Sequence, residues 1–142
     1  MSKKYFDAVL YHSGEYERFS NEKKGFISFT KWLKKAGLNK SNVLICFENT
    51  GYYSLQLSLF LAVKGFDYCQ EHPLQIKRSV GFRRGKSDKS DASDIARYAW
   101  LFREKIRLSK PPSDALVLLQ QLKTTRELFV KHSVAFKNQP KR

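Results

Sequence analysis

Acidic side chains are scarce in this chain, which has 13 Asp and Glu residues against 27 Lys and Arg. The formal net charge of +14 is far larger than solubility requires. A charge of this sign and size favours a polyanionic partner, and nucleic acid is the natural candidate. The basic residues lie mostly in the second half of the chain, which is where we expect the binding surface.

Cysteine is also rare, with Cys46 and Cys69 far apart and in no Cys-x-x-Cys spacing. This excludes a disulfide framework and a zinc finger, and it predicts two buried thiols. No apolar stretch reaches membrane-spanning length, and no hydrophobic signal core follows Lys3 and Lys4. We therefore expect a cytoplasmic protein without a membrane partner.

Nucleotide-binding loops are missing as well. Gly85-Lys86-Ser87 resembles the end of a P-loop, but the required glycine five positions earlier is Val80. No glycine-rich dinucleotide fingerprint occurs either. These absences exclude the common ATP-binding and NAD-binding classes.

The hydrophobic pattern alternates between strand and helix periods. A hairpin of strands at residues 5–11 and 15–19, a helix from an Asn21 cap to about residue 36, and an interior strand at 43–47 are predicted first. A helix that stops at Gly65, a strand at 66–70 and a helix from Pro73 follow. We predict an α/β fold with one mixed sheet flanked by helices over residues 1–108. Residues 109–142 should form a long helix and a basic tail.

Acids and bases are densest between Arg83 and Asp94. Asp88 and Asp91 are three residues apart, so both would project from one face of a helix that begins near Ser87. Asp94 should drift away from that face. Glu48 follows the interior strand at the edge where α/β sites form. Together Glu48, Asp88 and Asp91 could hold Mg²⁺ or Mn²⁺ for phosphodiester cleavage.

A simpler interpretation treats the same acids as structural. Ser87, Asp88 or Ser90 could cap the helix while the other carboxylates complement its dipole. Both interpretations can hold at once. The neighbouring bases favour a role in binding, because they could deliver phosphates to a carboxylate-bound metal. These predicted nucleic-acid contacts are Lys77, Arg78, Arg83, Arg84, Lys86 and Lys89.

Three segments in order resemble a known family. They are Glu48-Asn49-Thr50-Gly51-Tyr52-Tyr53, then Pro73 with Ile76-Lys77, then Lys86-Ser87-Asp88-Lys89-Ser90-Asp91-Ala92 with Ile95-Ala96. The chain thereby resembles, over about residues 2–137, the N-terminal domain of the DEDD transposases of the insertion-sequence family numbered one hundred and ten, relatives of the Piv-type invertases.

The resemblance implies a RuvC-like, RNase H-like fold with Glu48 as the second acid and Asp88 and Asp91 as the third and fourth. It also implies a Mg²⁺-dependent or Mn²⁺-dependent recombinase that cuts and rejoins DNA when an insertion sequence moves. Some family members are guided by an RNA, which makes a guide RNA a further potential partner.

Two departures from the family pattern shape the expectations. The family's first acid belongs to an opening strand that this sequence does not contain, and Asp7 is expected to be structural rather than its substitute. A gap should therefore lie between the hairpin and residues 43–47. The family's second domain is also absent, so we expect a truncated copy that does not catalyse strand exchange by itself.

Two alternatives from other functional classes stay open. One is a catalytically silent, basic nucleic-acid-binding module. The other is an interaction domain that forms a homo-oligomer through the apolar C-terminal helix.

Overall fold

The computed structural model describes residues 1–2, 4–81, 85 and 87–137. Within these residues the chain forms four strands and five helices. In order they are β1 (Tyr5–Val9), β2 (Tyr16–Ser20), α1 (Lys23–Lys35), β3 (Ile45–Glu48), α2 (Tyr52–Lys64), β4 (Tyr68–Glu71), α3 (Pro73–Val80), α4 (Asp88–Leu101) and α5 (Asp114–Lys137).

A tight turn joins β1 to β2 and confirms the predicted hairpin. Gly14 takes a left-handed conformation with φ of 69°, which costs glycine nothing because it has no Cβ. Its amide donates to the Leu10 carbonyl at 2.8 Å. The antiparallel register then sets Phe6 opposite Phe19, so both rings enter the core.

Helix α1 approaches the backbone of β2 very closely at Gly25. A Cβ at this position would lie 1.8 Å from the Ser20 carbonyl oxygen, so only glycine permits the contact. The helix buries Phe26, Phe29 and Leu33 in the same core as the hairpin. The prediction that Asn21 caps this helix is wrong. Its side chain instead donates to the carbonyls of Ser2 and Tyr53.

Strands β3 and β4 are parallel, and α2 is the crossover between them. Their register pairs Ile45 with Tyr68 at one end and Glu48 with Glu71 at the carboxyl end. Helix α2 ends at Gly65, in the left-handed conformation expected of a helix stop. A parallel pair joined by a helix defines the α/β class, as predicted.

The single mixed sheet that the sequence predicts is replaced by two separate sheets. Among the described residues, β1 is hydrogen-bonded only to β2, and β3 only to β4. The physical reason is a cavity between β1 and β3, which is the gap expected between the hairpin and residues 43–47. Strand β3, predicted to be interior, is therefore paired along one edge.

Helix α4 packs on β1, on α3 and on β3, and so covers one face of the cavity. The compact unit that contains these elements ends at Pro111. Ser109 ties its last residues to β4, because its amide donates to the Tyr68 carbonyl and its hydroxyl accepts from the Gln70 amide, both at 2.8 Å.

Residues 112–142 form a second unit, whose described part is mainly α5. Ser113 caps this helix by accepting a hydrogen bond from the Leu116 amide. None of the helix residues is buried. Across the described part of the chain, no helix is both long and apolar enough to cross a membrane.

Candidate active site between the two sheets

A cavity of about 680 Å³ separates the two sheets. Its side walls are formed by β1, β3 and the residues next to them, in unbroken runs at 6–13 and 42–48. One face is lined by residues of α1 and α2 such as Phe29 and Leu57, and the other by residues of α4, which range from Ala92 to Trp100 in size. A cavity of this size and apolar character is typical of a binding site.

Five acids line this cavity, namely Asp7, Glu15, Glu48, Asp88 and Asp91. Glu48 is the last residue of β3, and Asp88 and Asp91 belong to the first turn of α4. The fold thus brings all three sequence-predicted acids to one cavity, although Glu48 is distant from the others in sequence. Asp94, expected to turn away, is not among the residues that line it.

The start of α4 is capped by serines rather than by aspartates. The Ser87 hydroxyl accepts from the Ser90 amide at 3.1 Å, and the Ser90 hydroxyl accepts from the Ser87 amide at 2.9 Å. This capping box satisfies the helix terminus without a carboxylate. Asp88 and Asp91 still complement the dipole of the helix, so the structural interpretation holds in part, but their carboxylates are not used as caps.

Arg18 of β2 links two of the cavity acids. Its Nε donates to Asp7 Oδ1 at 2.8 Å, and its terminal nitrogen donates to Asp88. The ordinary pKa of an arginine is already high, and the hydrogen bond to Asp7 raises the pKa of Arg18 above it. The guanidinium therefore remains charged. Asp88 therefore forms an ion pair with Arg18 of the hairpin, although its side chain is also exposed to solvent.

Asp7 is held by two donors. The Tyr16 hydroxyl donates to Asp7 Oδ1 at 2.6 Å beside the bond from Arg18. Burial raises the pKa of Asp7, but the hydrogen bonds from Arg18 and Tyr16 outweigh it, so the net pKa lies below the usual 3.8. Two donors on Asp7 Oδ1 agree with the structural role predicted for Asp7.

The described residues contain no group of three or more His, Cys, Asp or Glu side chains placed to hold a metal ion. The donor set nevertheless suits Mg²⁺ or Mn²⁺, because these ions prefer carboxylate oxygens and three of the acids are not committed as caps. Binding would require Asp88 to leave Arg18, which is an exchange between two exposed partners.

Glu71 is an acid of this region that the sequence analysis missed. It ends β4 and is the register partner of Glu48, so two carboxylates leave neighbouring strands side by side. Its Oε2 accepts from the Tyr98 hydroxyl at 3.0 Å, which connects β4 to α4. Burial and this hydrogen bond raise the pKa of Tyr98 to about 12. The available signal was its position, since Glu71 follows a predicted strand as Glu48 does.

Half of the predicted nucleic-acid contacts lie in the described part of the chain. Lys77 and Arg78 occupy the last turn of α3, and Lys89 lies in the first turn of α4. The Lys89 ammonium sits over the Tyr16 ring, 5.6 Å from its centroid. Arg83, Arg84 and Lys86 lie outside the described residues.

Both cysteines are free thiols, but of the two that were predicted to be buried only Cys69 is. They face each other across β3 and β4, with Cys69 buried and Cys46 partly exposed at the cavity wall. Hydrogen bonding to Cys69 and burial raise the pKa of Cys46, which keeps that thiol protonated. The same hydrogen bond lowers the pKa of Cys69, so only Cys46 is held in the thiol form.

An α/β domain with acids around one cavity and a large positive charge is typical of proteins that process nucleic acids. The family model described as a transposase, that of the DEDD type named in the sequence analysis, matches residues 2–142. The chain belongs to this DEDD transposase family, which confirms the resemblance.

Two curated relatives are similar to the chain. The pilin gene-inverting protein of Moraxella lacunata is 31% identical over 132 residues, and that of Moraxella bovis is 30% identical over 132 residues. Each match covers 89% of this chain and 40% of the relative. The chain thus spans about two fifths of the length of these relatives.

Proposed function

We propose that residues 1–108 are the RuvC-like, RNase H-like catalytic-type domain of a DNA transposase or site-specific recombinase. In this proposal the whole protein cleaves and transfers DNA strands when an insertion sequence moves. Residues 109–142 lead towards a further domain. The observation that carries the proposal is that Glu48, Asp88 and Asp91, from two separate elements, line one cavity in a chain of the transposase family.

Glu48, Asp88 and Asp91 would hold the divalent ion, Mg²⁺ or Mn²⁺. When bound, such an ion activates water or a hydroxyl group and stabilises the leaving oxygen of a phosphodiester. Asp7 remains structural in this scheme, because Tyr16 and Arg18 both donate to its Oδ1 and hold it within the hairpin.

Arg18 controls the availability of Asp88. Both side chains are substantially exposed, at 45% and 68%, so water screens their attraction and the pair contributes little to stability. A cation of higher charge can therefore displace Arg18 at little cost. The bond to Asp7 keeps the guanidinium close to the cavity after the exchange, where it can meet a phosphate oxygen.

The DNA backbone would be held by Lys77, Arg78 and Lys89, together with Arg83, Arg84 and Lys86. Phosphate neutralisation is independent of sequence and weakens with salt. Each lysine or arginine lost should lower the slope of log affinity against log salt by about one unit. Lys34, on the exposed side of α1, is a matched control whose replacement by alanine should leave the slope unchanged.

Calorimetry with Mn²⁺ tests the metal site. Glu48→Gln, Asp88→Asn and Asp91→Asn should each weaken binding at least about tenfold, because each removes one hard oxygen ligand. Asp67→Asn is the control, since Asp67 precedes β4 at the opposite end of the parallel pair from Glu48. Equal Mn²⁺ affinity for all four variants and the parent chain would contradict the proposal.

A catalytically silent nucleic-acid-binding module is the second candidate. The serine capping box and the lack of a ready-made three-ligand group among the described residues favour it. The two candidates differ in one result. The silent module binds DNA with the same salt dependence but shows no Mn²⁺ binding that depends on Glu48.

Three finer points belong to the same proposal. DNA is the proposed substrate, and the cytoplasm is the proposed location of the reaction. A guide RNA is a further proposed partner, and adding RNA to the binding assay tests it. Helix α5 would associate with a second copy, because its apolar side chains exceed what a lone helix needs. Sedimentation of the parent chain against a Leu119→Glu variant tests the association.

A further inference from the structure

Two aromatic side chains on the outer face of the hairpin each lie beneath a cation. Side chains alternate along a strand, and Phe6 and Phe19 enter the core. Their neighbours Tyr5 and Arg18 therefore point to the opposite face. The Arg18 guanidinium lies 5.9 Å from the centroid of the Tyr5 ring, and Tyr5 is 49% exposed. An open aromatic surface thus lies beside a positive charge.

The second pair is next to the first along β2. Tyr16 and Arg18 are two residues apart, so both side chains lie on the outer face. The ring of Tyr16 lies beneath the Lys89 ammonium. Tyr16 is only partly exposed and its hydroxyl already donates to Asp7, so its ring holds Lys89 in place rather than meeting a ligand. Tyr5 is therefore the more open of the two rings.

The hairpin strip, as we call this surface, consists of Tyr5, Tyr16, Arg18 and Lys89. None of these side chains lines the cavity between the sheets. The strip nevertheless reaches the acids, because Arg18 donates to Asp88. A nucleic-acid strand with a phosphate near Asp88 would therefore pass along the strip. One nucleotide can bridge the 5.9 Å between the guanidinium and the Tyr5 ring.

An exposed ring beside cations can bind a nucleotide at both its base and its phosphates. Aromatic side chains stack on bases, and lysine and arginine neutralise the phosphates on either side. Within an intact duplex the faces of a base are covered by its neighbours, so an aromatic side chain reaches only a base that has left the stack. Phosphate contacts alone would not need an exposed ring. The hairpin strip therefore fits an unpaired base better than an intact duplex.

We infer that the hairpin strip is a base-stacking site for DNA that is locally single-stranded. The unpaired base stacks on Tyr5, and the flanking phosphates meet Arg18 and Lys89. The inference rests on the proposed function, because it takes the strand that passes Asp88 to be DNA. It adds that this strand is unpaired beside the acids, and that Tyr5 holds it in register with them.

The test compares the binding of the whole chain to two DNA duplexes that differ at one position. In one duplex a central 2-aminopurine is paired with thymine, and in the other it faces an abasic site and is unpaired. Both carry the same phosphates, so backbone contacts alone give the same affinity for both. The chain should bind the unpaired duplex about tenfold more tightly, and stacking on Tyr5 should quench the 2-aminopurine fluorescence. The titration is run without divalent metal, so its result does not depend on the metal site.

Three substitutions identify the ring that is responsible. Tyr5→Leu should remove the preference for the unpaired duplex, whereas Tyr5→Phe keeps the ring and should retain the preference. Tyr11→Leu is the matched control and should also retain it, because Tyr11 is a similarly exposed tyrosine, at 42%, near the turn of the same hairpin. The readout is the ratio of the two affinities. A purely structural role of Tyr5 would change both affinities or the melting temperature but not this ratio.

The possible failures are distinguishable. Equal, salt-dependent affinity for the two duplexes would overturn the inference and leave the proposed DNA binding intact, and so would a preference that Tyr5→Leu retains. Binding to neither duplex would contradict the proposed function as well. The strand with the unpaired base is also tested as RNA. Tighter binding of RNA than of DNA, dependent on Tyr5, would overturn the assignment to DNA and give the hairpin strip to RNA.

Discussion

Replacement of Gly25 by alanine should destabilise the first unit. In most helices the same replacement is stabilising, because alanine has the higher helix propensity. The new Cβ would lie 1.8 Å from the Ser20 carbonyl oxygen and 2.7 Å from the carbonyl carbon. Since both are backbone atoms, α1 must move away from β2 by more than about 1 Å to restore normal contact. That movement loosens the packing of Phe26 and Phe29 on the hairpin.

The magnitude follows from two opposing terms. Alanine gains about 1 kcal/mol over glycine in helix propensity. Overpacking and the partial loss of aromatic contacts cost about 3–4 kcal/mol. The expected net loss is therefore about 2–3 kcal/mol, or a fall in melting temperature of roughly 10 °C or more for a unit of this size.

Thermal unfolding followed by circular dichroism measures this effect. Ser28→Ala, on the exposed side of the same helix, is the control and should leave the melting temperature nearly unchanged or slightly raised. A Gly25→Ala protein that melts at or above the parent temperature would refute the reasoning, because propensity alone would then account for the result.

Three further predictions concern the core and its titrating groups. Because the folded-state pKa of Asp7 lies below 3.8, its stabilising effect is present above about pH 4 and is lost as the pH falls through that lower pKa; Asp7→Asn should flatten the acid side of the stability profile. The raised pKa of Tyr98, about 12, keeps its stabilising effect intact below about pH 10 and removes it as the pH rises towards 12; Tyr98→Phe should abolish this alkaline loss in denaturant melts. Leu61→Ala, at a side chain with no exposed surface, should cost about 2–5 kcal/mol in the same melts, and a loss below about 1 kcal/mol would contradict the assigned core.

Local signals in the sequence predicted most of the elements correctly. The turn at Gly14 and the helix stop at Gly65 depend on backbone conformations that only nearby residues determine. The strand and helix periods likewise follow from short segments. Boundaries moved by a few residues, as with β3, predicted at 43–47 and observed at Ile45–Glu48.

Features that depend on distant parts of the chain were not predictable in the same way. Arg18 joins Asp7 to Asp88 across seventy positions of sequence, and no local pattern marks that contact. Glu71 was missed in the sequence, and its bond to Tyr98 joins residues that are 27 positions apart. The division into two sheets likewise depends on which strand edges meet, and periodicity does not encode this.

The acids at the cavity depend partly on local sequence patterns and partly on contacts between distant parts of the chain. The spacing of Asp88 and Asp91 predicted that both lie on one face of a helix. The start of that helix is fixed by a nearby residue, because Ser87 is its N-cap. The meeting of these two acids with Glu48 at one cavity is a tertiary result. The position of Glu48 after a predicted interior strand suggested this grouping, and the family resemblance implied it as well, whereas helical spacing concerns only Asp88 and Asp91.

The most direct measurement for the proposed site is a Mn²⁺ titration of the isotopically labelled chain followed by amide resonances. Paramagnetic broadening reports which residues lie near the bound ion. The proposal predicts that broadening begins at Glu48, Asp88 and Asp91, while the Asp67 resonance persists, and that Asp88→Asn abolishes the pattern. Broadening that begins elsewhere, or that is unchanged in Asp88→Asn, would contradict the assignment of these three acids as the metal site.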